Sequence, residues 1–89
     1  MKIKDGFILR DVGGKTFVVA VGELSKTFCK MITLNETGKI IWQCLTEGKN
    51  ADETADKILS EYEGATRESV MGDVEAFISK LREEGILDE

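Results

Sequence analysis

The stretch FCKMITLNETGKIIWQCLT, residues 28–46, contains the change of period that decides the fold. Residues 28–34 are mostly apolar, with Lys30 and Thr33 interrupting them, and they predict a strand. Asn35 then favours a helix start, because its side chain can accept a hydrogen bond from a free helix amide. The residues that follow predict a helix over 36–46, with an apolar face formed by Ile40, Ile41, Cys44 and Leu45.

Two further strands are predicted upstream of this stretch. Residues 7–12 and 16–21 have high strand propensity, and Gly13 and Gly14 between them supply the positive φ angles of a tight hairpin turn. With residues 28–34 they form a predicted three-stranded antiparallel sheet. Gly38, one turn into the first helix, is expected to allow that helix to pack closely on the sheet.

Two more helices are predicted downstream. Asn50 with Glu53 resembles a capping box, and Gly64 stops the helix that follows. Its apolar face is Ala51, Ala55, Ile58, Leu59 and Tyr62. Thr66 caps a third helix that ends at Gly85, with an apolar stripe of Val70, Val74, Phe77, Ile78 and Leu81. Two apolar residues after it are expected to fold back onto the core, namely Ile86 and Leu87. The order β-β-β-α-α-α predicts one α+β domain over residues 1–89.

Length and composition limit what such a chain does. Its 89 residues are 42 % hydrophobic and 33 % charged, which suits one small domain without a deep enclosed active site. No apolar run approaches the roughly 20 residues of a membrane span, and no apolar signal segment follows Met1. We therefore expect a cytoplasmic protein with no membrane partner. The two cysteines, Cys29 and Cys44, are predicted to be unpaired.

Catalysis and metal binding have little support in the sequence. There is no histidine, which is the commonest general base and metal ligand. The two cysteines lack further cysteine or histidine ligands to complete a metal site. Carboxylate pairs such as Asp52 and Asp56 fall on helix faces expected to be exposed. The sequence thus predicts a protein that is not an enzyme, with no catalytic residue, no cofactor and no metal.

The charge distribution bears on an alternative function, DNA binding. The second and third helices with a β-wing could form a winged-helix transcriptional regulator. Residues 1–49 contain eight Lys and Arg against five Asp and Glu, whereas residues 50–89 contain four against twelve, a net charge of −8. The predicted recognition helix, residues 67–84, has a net charge of −2 and would repel phosphates. We therefore expect no nucleic-acid partner and keep the regulator as the alternative.

The predicted architecture itself points to a partner. Three helices can cover only one face of the small sheet, and the strand that leads into them is a candidate open edge. Such an edge presents unpaired backbone N–H and C=O groups, which invite another strand to pair with it. The sequence therefore predicts a peptide-binding edge over residues 29–33. The same edge could pair two copies of the chain into a homodimer.

Three segments resemble the pyrroloquinoline quinone biosynthesis protein D family. The first is LNETGKIIW, residues 34–42, followed by Leu45, Glu47 and Gly48. The others are DETADKIL, residues 52–59, and DVEAFISKLREEGIL, residues 73–87. The likeness runs over nearly the whole chain. It implies a winged-helix-like peptide recognition element that acts in the maturation of ribosomally made, modified peptides.

The resemblance also implies the ligand and its place. Such domains are peptide chaperones: they bind the leader segment of a precursor peptide and present it to a modifying enzyme, often a radical S-adenosylmethionine enzyme. The leader adds as a strand to the third strand, in the cleft beside the third helix. The predicted contacts are therefore Cys29, Lys30, Met31, Ile32 and Thr33, with Val70, Asp73, Val74 and Phe77 across the cleft. For Val70, Val74 and Phe77, ordinary core packing is an equally good interpretation.

Overall fold

The computed structural model describes residues 2–26 and 31–88, and it confirms the predicted α+β order of three sheet strands followed by three helices. Along the chain the elements are β1 (Lys2–Ile3), β2 (Phe7–Val12), β3 (Lys15–Ala20), a 3₁₀ helix (Gly22–Lys26), β4 (Ile32–Leu34), α1 (Glu36–Thr46), α2 (Ala51–Glu61), α3 (Arg67–Glu83) and β5 (Leu87–Asp88). Within the described ranges, no helix is long and apolar enough to cross a bilayer.

The main sheet has the strand order β2-β3-β4, and both pairings are antiparallel. The register sets Leu9 opposite Val18, and Val18 opposite Ile32. Within the described residues, the third strand of the sheet is shorter than predicted. It begins at Ile32, and Met31 precedes it outside the ladder. The predicted strand residues 28–30 lie outside the described residues.

Each helix begins at the residue that the sequence predicts. The Asn35 side chain accepts a hydrogen bond from the Gly38 backbone N–H at 2.7 Å. Asn50 and Glu53 form a reciprocal capping box, in which the Asn50 side chain accepts from the Glu53 N–H at 2.8 Å. Thr66 accepts from the Ser69 N–H at 3.2 Å at the start of α3. Caps of this kind contribute about 1 kcal/mol each, so the three helices have well-defined starts.

One hydrophobic core lies between the inner face of the sheet and the helices. Strand alternation turns Val18, Ile32 and Leu34 towards it. The helices contribute the fully buried Ile41 and Leu45 of α1, Ala55 and Ile58 of α2, and Val74 and Leu81 of α3. Burying one such aliphatic side chain stabilises the fold by about 1.5–3 kcal/mol, so this packing fixes how α3 lies beside β4.

Two features of the fold were not predicted from the sequence. β1 pairs with β5 in a separate two-stranded antiparallel sheet, and a 3₁₀ helix, Gly22–Lys26, follows β3. The expected return of the last residues to the core is confirmed, because Ile86 is fully buried and its carbonyl accepts from the Lys4 N–H at 2.8 Å. Two-residue strands carry too little pattern to be recognised from sequence alone.

Candidate peptide-binding site

β4 is an edge strand of the main sheet. β3 pairs with one side of it, and no strand among the described residues pairs with the other side. Ile32 and Leu34 point inwards and are buried, whereas Thr33 points outwards and is exposed. Met31, just before the strand, is 62 % exposed although it is a large apolar residue. This edge therefore presents free backbone groups and an exposed apolar side chain next to each other.

An open groove of about 480 Å³ runs between this edge and the last turns of α3. Its lining is Met31, Ile32 and Thr33 on the sheet side and Lys80 and Glu84 on the helix side. One wall offers backbone groups, and the other offers side chains of both charges. A strand that enters such a groove could pair with β4 while its side chains are read by the helix.

A second pocket of about 330 Å³ continues from Lys80 towards the start of α1. It is lined by Asn35, Thr37, Gly38, Ile41, Asp73, Ala76, Phe77 and Lys80. A Cβ atom at Gly38 would lie 3.3 Å from Cε2 of Phe77 and 3.5 Å from Cβ of Leu34. The expected close packing at Gly38 is therefore found, and it involves α3 as well as the sheet. The absence of a side chain at Gly38 keeps this pocket open.

The structure brings together some of the predicted site residues and separates others. Met31, Ile32 and Thr33 share the groove, while Asp73 and Phe77 line the second pocket. Val70 and Val74 are buried in the core and line neither space, as the core-packing interpretation expects. Cys29 and Lys30 lie outside the described residues. A role in peptide binding stays a prediction for all nine.

Lys80 and Glu84 are groove residues that the sequence prediction missed. Helix geometry repeats a face at intervals of three and four residues. Asp73 and Phe77 were predicted to face the cleft, and continuing their spacing by three and then four residues reaches Lys80 and Glu84. The signal was thus present in the sequence, but the predicted contacts on the third helix end at Phe77.

The described residues include one cysteine, and a group of polar side chains lines a cavity away from the groove. Cys44 is unpaired and buried in α1, and burial raises the pKa of its thiol, which disfavours the reactive thiolate. In the described ranges no three His, Cys, Asp or Glu residues are grouped so that they could hold a metal ion. A cavity of about 710 Å³ lies at the hairpin end of the sheet. Some of its polar groups bond one another: Thr16 Oγ1 donates to Asp11 Oδ1 at 2.5 Å, and Lys39 Nζ lies 3.6 Å from Asp11 Oδ2.

Comparison with known proteins agrees with this geometry. The family model of coenzyme PQQ synthesis protein D (PqqD) matches residues 8–87. The chain belongs to the PqqD family. This confirms the resemblance drawn from the three sequence segments, and the match includes β4 and all three helices. No curated protein matches the chain.

Two solved structures share the fold of this PqqD-family chain. One is TbiB1 in complex with the TbiA(beta) leader peptide, with 26 % identity, a TM-score of 0.78, and coverage of 99 % of this chain and 95 % of that one. The other is lasso peptide synthetase B1 complexed with the leader peptide. It has 22 % identity, a TM-score of 0.74 and coverage of 96 % and 93 %, and it supports the fold alone.

Proposed function

We propose that this PqqD-family chain binds the leader segment of a ribosomally made precursor peptide along the open edge of β4. The observation that carries the proposal is the unpaired edge of β4 beside the side-chain wall of α3. Main-chain hydrogen bonds to β4 would give affinity that depends little on sequence. Contacts with α3 would then select the leader and fix its register. Family membership and the leader-bound TbiB1 structure support this class of ligand.

The side chains around the groove suggest how a leader would be read. In a strand added to β4, alternate residues point to the inner side of the sheet, towards α3. One such residue would meet Lys80 and Glu84, and the next pocket along offers the partly buried ring of Phe77. A leader that alternates charged or polar residues with an apolar anchor fits this lining.

Leader binding would serve the modification of the precursor peptide. The chain would act as a non-catalytic cytoplasmic peptide chaperone that presents the precursor to a peptide-modifying enzyme, in particular a radical S-adenosylmethionine enzyme. Without leader, two copies would pair their β4 edges, because pairing covers backbone groups that are otherwise open. Added leader would compete for that edge and shift the dimer to a leader-bound monomer, which sedimentation velocity would detect.

The regulator alternative has no specific observation in its favour. α3 would have to serve as the recognition helix, and its acidic residues oppose the phosphate attraction that supplies most non-specific DNA affinity. We expect duplex DNA to bind no better than about 10⁻⁴ M at physiological salt. A salt-sensitive, sub-micromolar mobility shift would reverse this ranking.

Amide exchange with bound peptide tests the proposed function directly. The ligands are synthetic peptides from the short reading frames that flank the gene, first screened for binding by fluorescence anisotropy. A peptide that binds should slow exchange in residues 29–33 and in α3, beyond any general slowing. Protection confined to β2 or α2 would contradict the edge-strand site, even if the peptide still bound. Failure of every such peptide to bind would contradict the function itself.

A further inference from the structure

The face of the main sheet that points away from the core is a second surface without an assigned role. Strand alternation gives this outer sheet face six side chains of β2 and β3, namely Ile8, Arg10, Val12, Lys15, Phe17 and Val19. The register pairs them across the two strands, with Arg10 opposite Phe17, and Thr33 of β4 extends the row beyond Phe17. The outer sheet face therefore reaches the same strand whose edge is proposed to bind the leader.

This face is apolar and uncovered along β2. Ile8 is 39 % exposed and Val12 is 58 % exposed, and Arg10 between them is exposed as well. Nothing in the described part of the chain covers this row, because the helices bury the opposite face of the sheet. Grouped exposed apolar residues of this kind mark interaction surfaces in soluble domains.

Charge indicates the kind of partner. The outer sheet face carries two cationic residues, Arg10 and Lys15, and none of its residues is acidic. In a two-fold contact between two copies, both sides would bring the same two cations and no carboxylate to meet them. A second copy is therefore a poor occupant. A partner surface with carboxylates around an apolar centre is complementary to the outer sheet face in both charge and hydrophobicity.

We propose that the outer sheet face docks the peptide-modifying enzyme, through a surface on that enzyme that is apolar at its centre and acidic at its rim. This inference rests on the proposed function, which requires an enzyme to receive the presented peptide. The leader and the enzyme would use different sides of β4. The leader pairs with its backbone edge, and the enzyme contacts the face that includes Thr33.

The size of the face gives the bound leader a part in this docking. β2 has six residues, or about 20 Å of strand, and three strands span only about 10 Å between their outer axes. A stable interface needs about 800 Å² from each partner, so the bare face is too small alone. A leader strand beside β4 would widen it by about 5 Å and add its own outward side chains. The enzyme should therefore bind the leader-loaded chain at least about fivefold more tightly than the free chain.

The experiment measures two affinities for each variant of the full chain. The probes are the leader peptide that binds best and the purified peptide-modifying enzyme encoded nearest to the gene. Arg10→Glu reverses a charge on β2, at the edge of the outer sheet face, and Ile8→Ser removes apolar surface. Lys57→Glu makes the same charge change on α2, where Lys57 pairs with Glu61 at 3.3 Å, and it serves as the control.

We expect Arg10→Glu to weaken enzyme binding at least about tenfold and to reduce its salt dependence, and Ile8→Ser to weaken it less. Leader binding should stay within about twofold in both variants, and Lys57→Glu should change neither affinity, since exposed substitutions are usually near neutral. Equal enzyme binding by wild type and both face variants would overturn the docking surface while leaving the leader function intact. Absence of any enzyme binding by the loaded wild type would also overturn it. Failure of leader binding with enzyme binding still sensitive to Arg10 would instead overturn the proposed function alone.

Discussion

Within the described residues no strand pairs with either outer edge of the main sheet, and the two edges differ in ways that matter for recognition. β2 forms one edge with six residues, among them the charged Arg10 and Asp11. β4 forms the other with three residues, Ile32–Leu34, none of them charged. Charged residues on an edge strand discourage pairing with another chain, so the β2 edge is the better protected of the two.

The surroundings of the two edges differ as well. Beside β2 lies a cavity of about 370 Å³ that is lined by residues 2–9, with Trp42 and Thr46 of α1. Beside β4 lies the groove whose far wall is α3. An open edge can supply affinity for any strand, whereas a helix beside that edge supplies selection among strands.

The largest expected effect comes from proline at the end of each edge. Met31→Pro should weaken leader binding at least about tenfold, because proline fixes φ and removes a backbone donor next to β4. Val12→Pro changes a similarly exposed apolar residue at the end of β2 and should leave leader affinity within about twofold. Fluorescence anisotropy with a labelled leader measures both, and melting curves check that each variant is folded. An equal loss of leader affinity in the two variants would mean that the leader does not distinguish the β4 edge from the β2 edge.

A second prediction separates groove lining from core packing on α3. Phe77 is partly buried and lines the second pocket, whereas Val74, three residues earlier, is fully buried. Val74→Ala should lower the free energy of unfolding by about 2 kcal/mol and leave the leader affinity of the folded protein unchanged. Phe77→Ala should cost stability and also weaken leader binding about tenfold, since aromatic anchors dominate interface energy. Chemical denaturation and anisotropy give the two readouts. Unchanged affinity in Phe77→Ala would assign that residue to the core alone.

Much of the fold and of the candidate site could be predicted from the sequence. The change of period at Asn35, the caps at Asn50 and Thr66, and the apolar stripe of α3 are local signals, and each was found where predicted. The open edge followed from counting elements, because three helices cover only one face of a three-stranded sheet. Family membership followed from residues 34–42 with the two later segments.

The rest depends on contacts between distant parts of the chain. The groove exists because the last turns of α3 lie beside β4, with Val74 and Leu81 of the helix buried in the core. No local sequence pattern encodes this position. With α3 in this position, Lys80 and Glu84, rather than Val70, lie opposite β4. The β1 and β5 pairing likewise joins the two ends of the chain, with only two residues in each strand.

A smaller effect is expected at two helical glycines that meet different surroundings. Gly72 in α3 has open space where a Cβ would lie, so Gly72→Ala should raise the free energy of unfolding by about 0.5–1 kcal/mol. A Cβ at Gly38 would lie 3.2 Å from the Asn35 cap oxygen and 3.3 Å from the Phe77 ring. Gly38→Ala should therefore gain no stability, and it should weaken leader binding about threefold by narrowing the second pocket. Thermal denaturation of both variants measures the first difference and anisotropy the second. A stabilised Gly38→Ala variant with full leader affinity would show that this pocket takes no part in binding.

The smallest expected effect is confined to acid and to the hairpin end of β2. The Thr16 hydroxyl donates to Asp11, and Lys39 Nζ lies 3.6 Å from the same carboxylate. The hydrogen bond first, and then the lysine, hold the pKa of Asp11 below its ordinary value of 3.8. The carboxylate's contribution to stability is therefore fully present above that ordinary value and is lost as the pH falls through the lowered value of the folded state. Asp11→Asn should melt slightly below wild type at neutral pH, and the gap between their melting temperatures should narrow only below about pH 4.

Leader affinity should be the same in both proteins at neutral pH, because Asp11 lines the hairpin-end cavity and not the groove beside β4. If the difference in melting temperature stays constant into strong acid, the substitution acts through the shape of the side chain and not through its charge. A change in leader affinity would mean that the β2 end of the sheet contributes to the site after all.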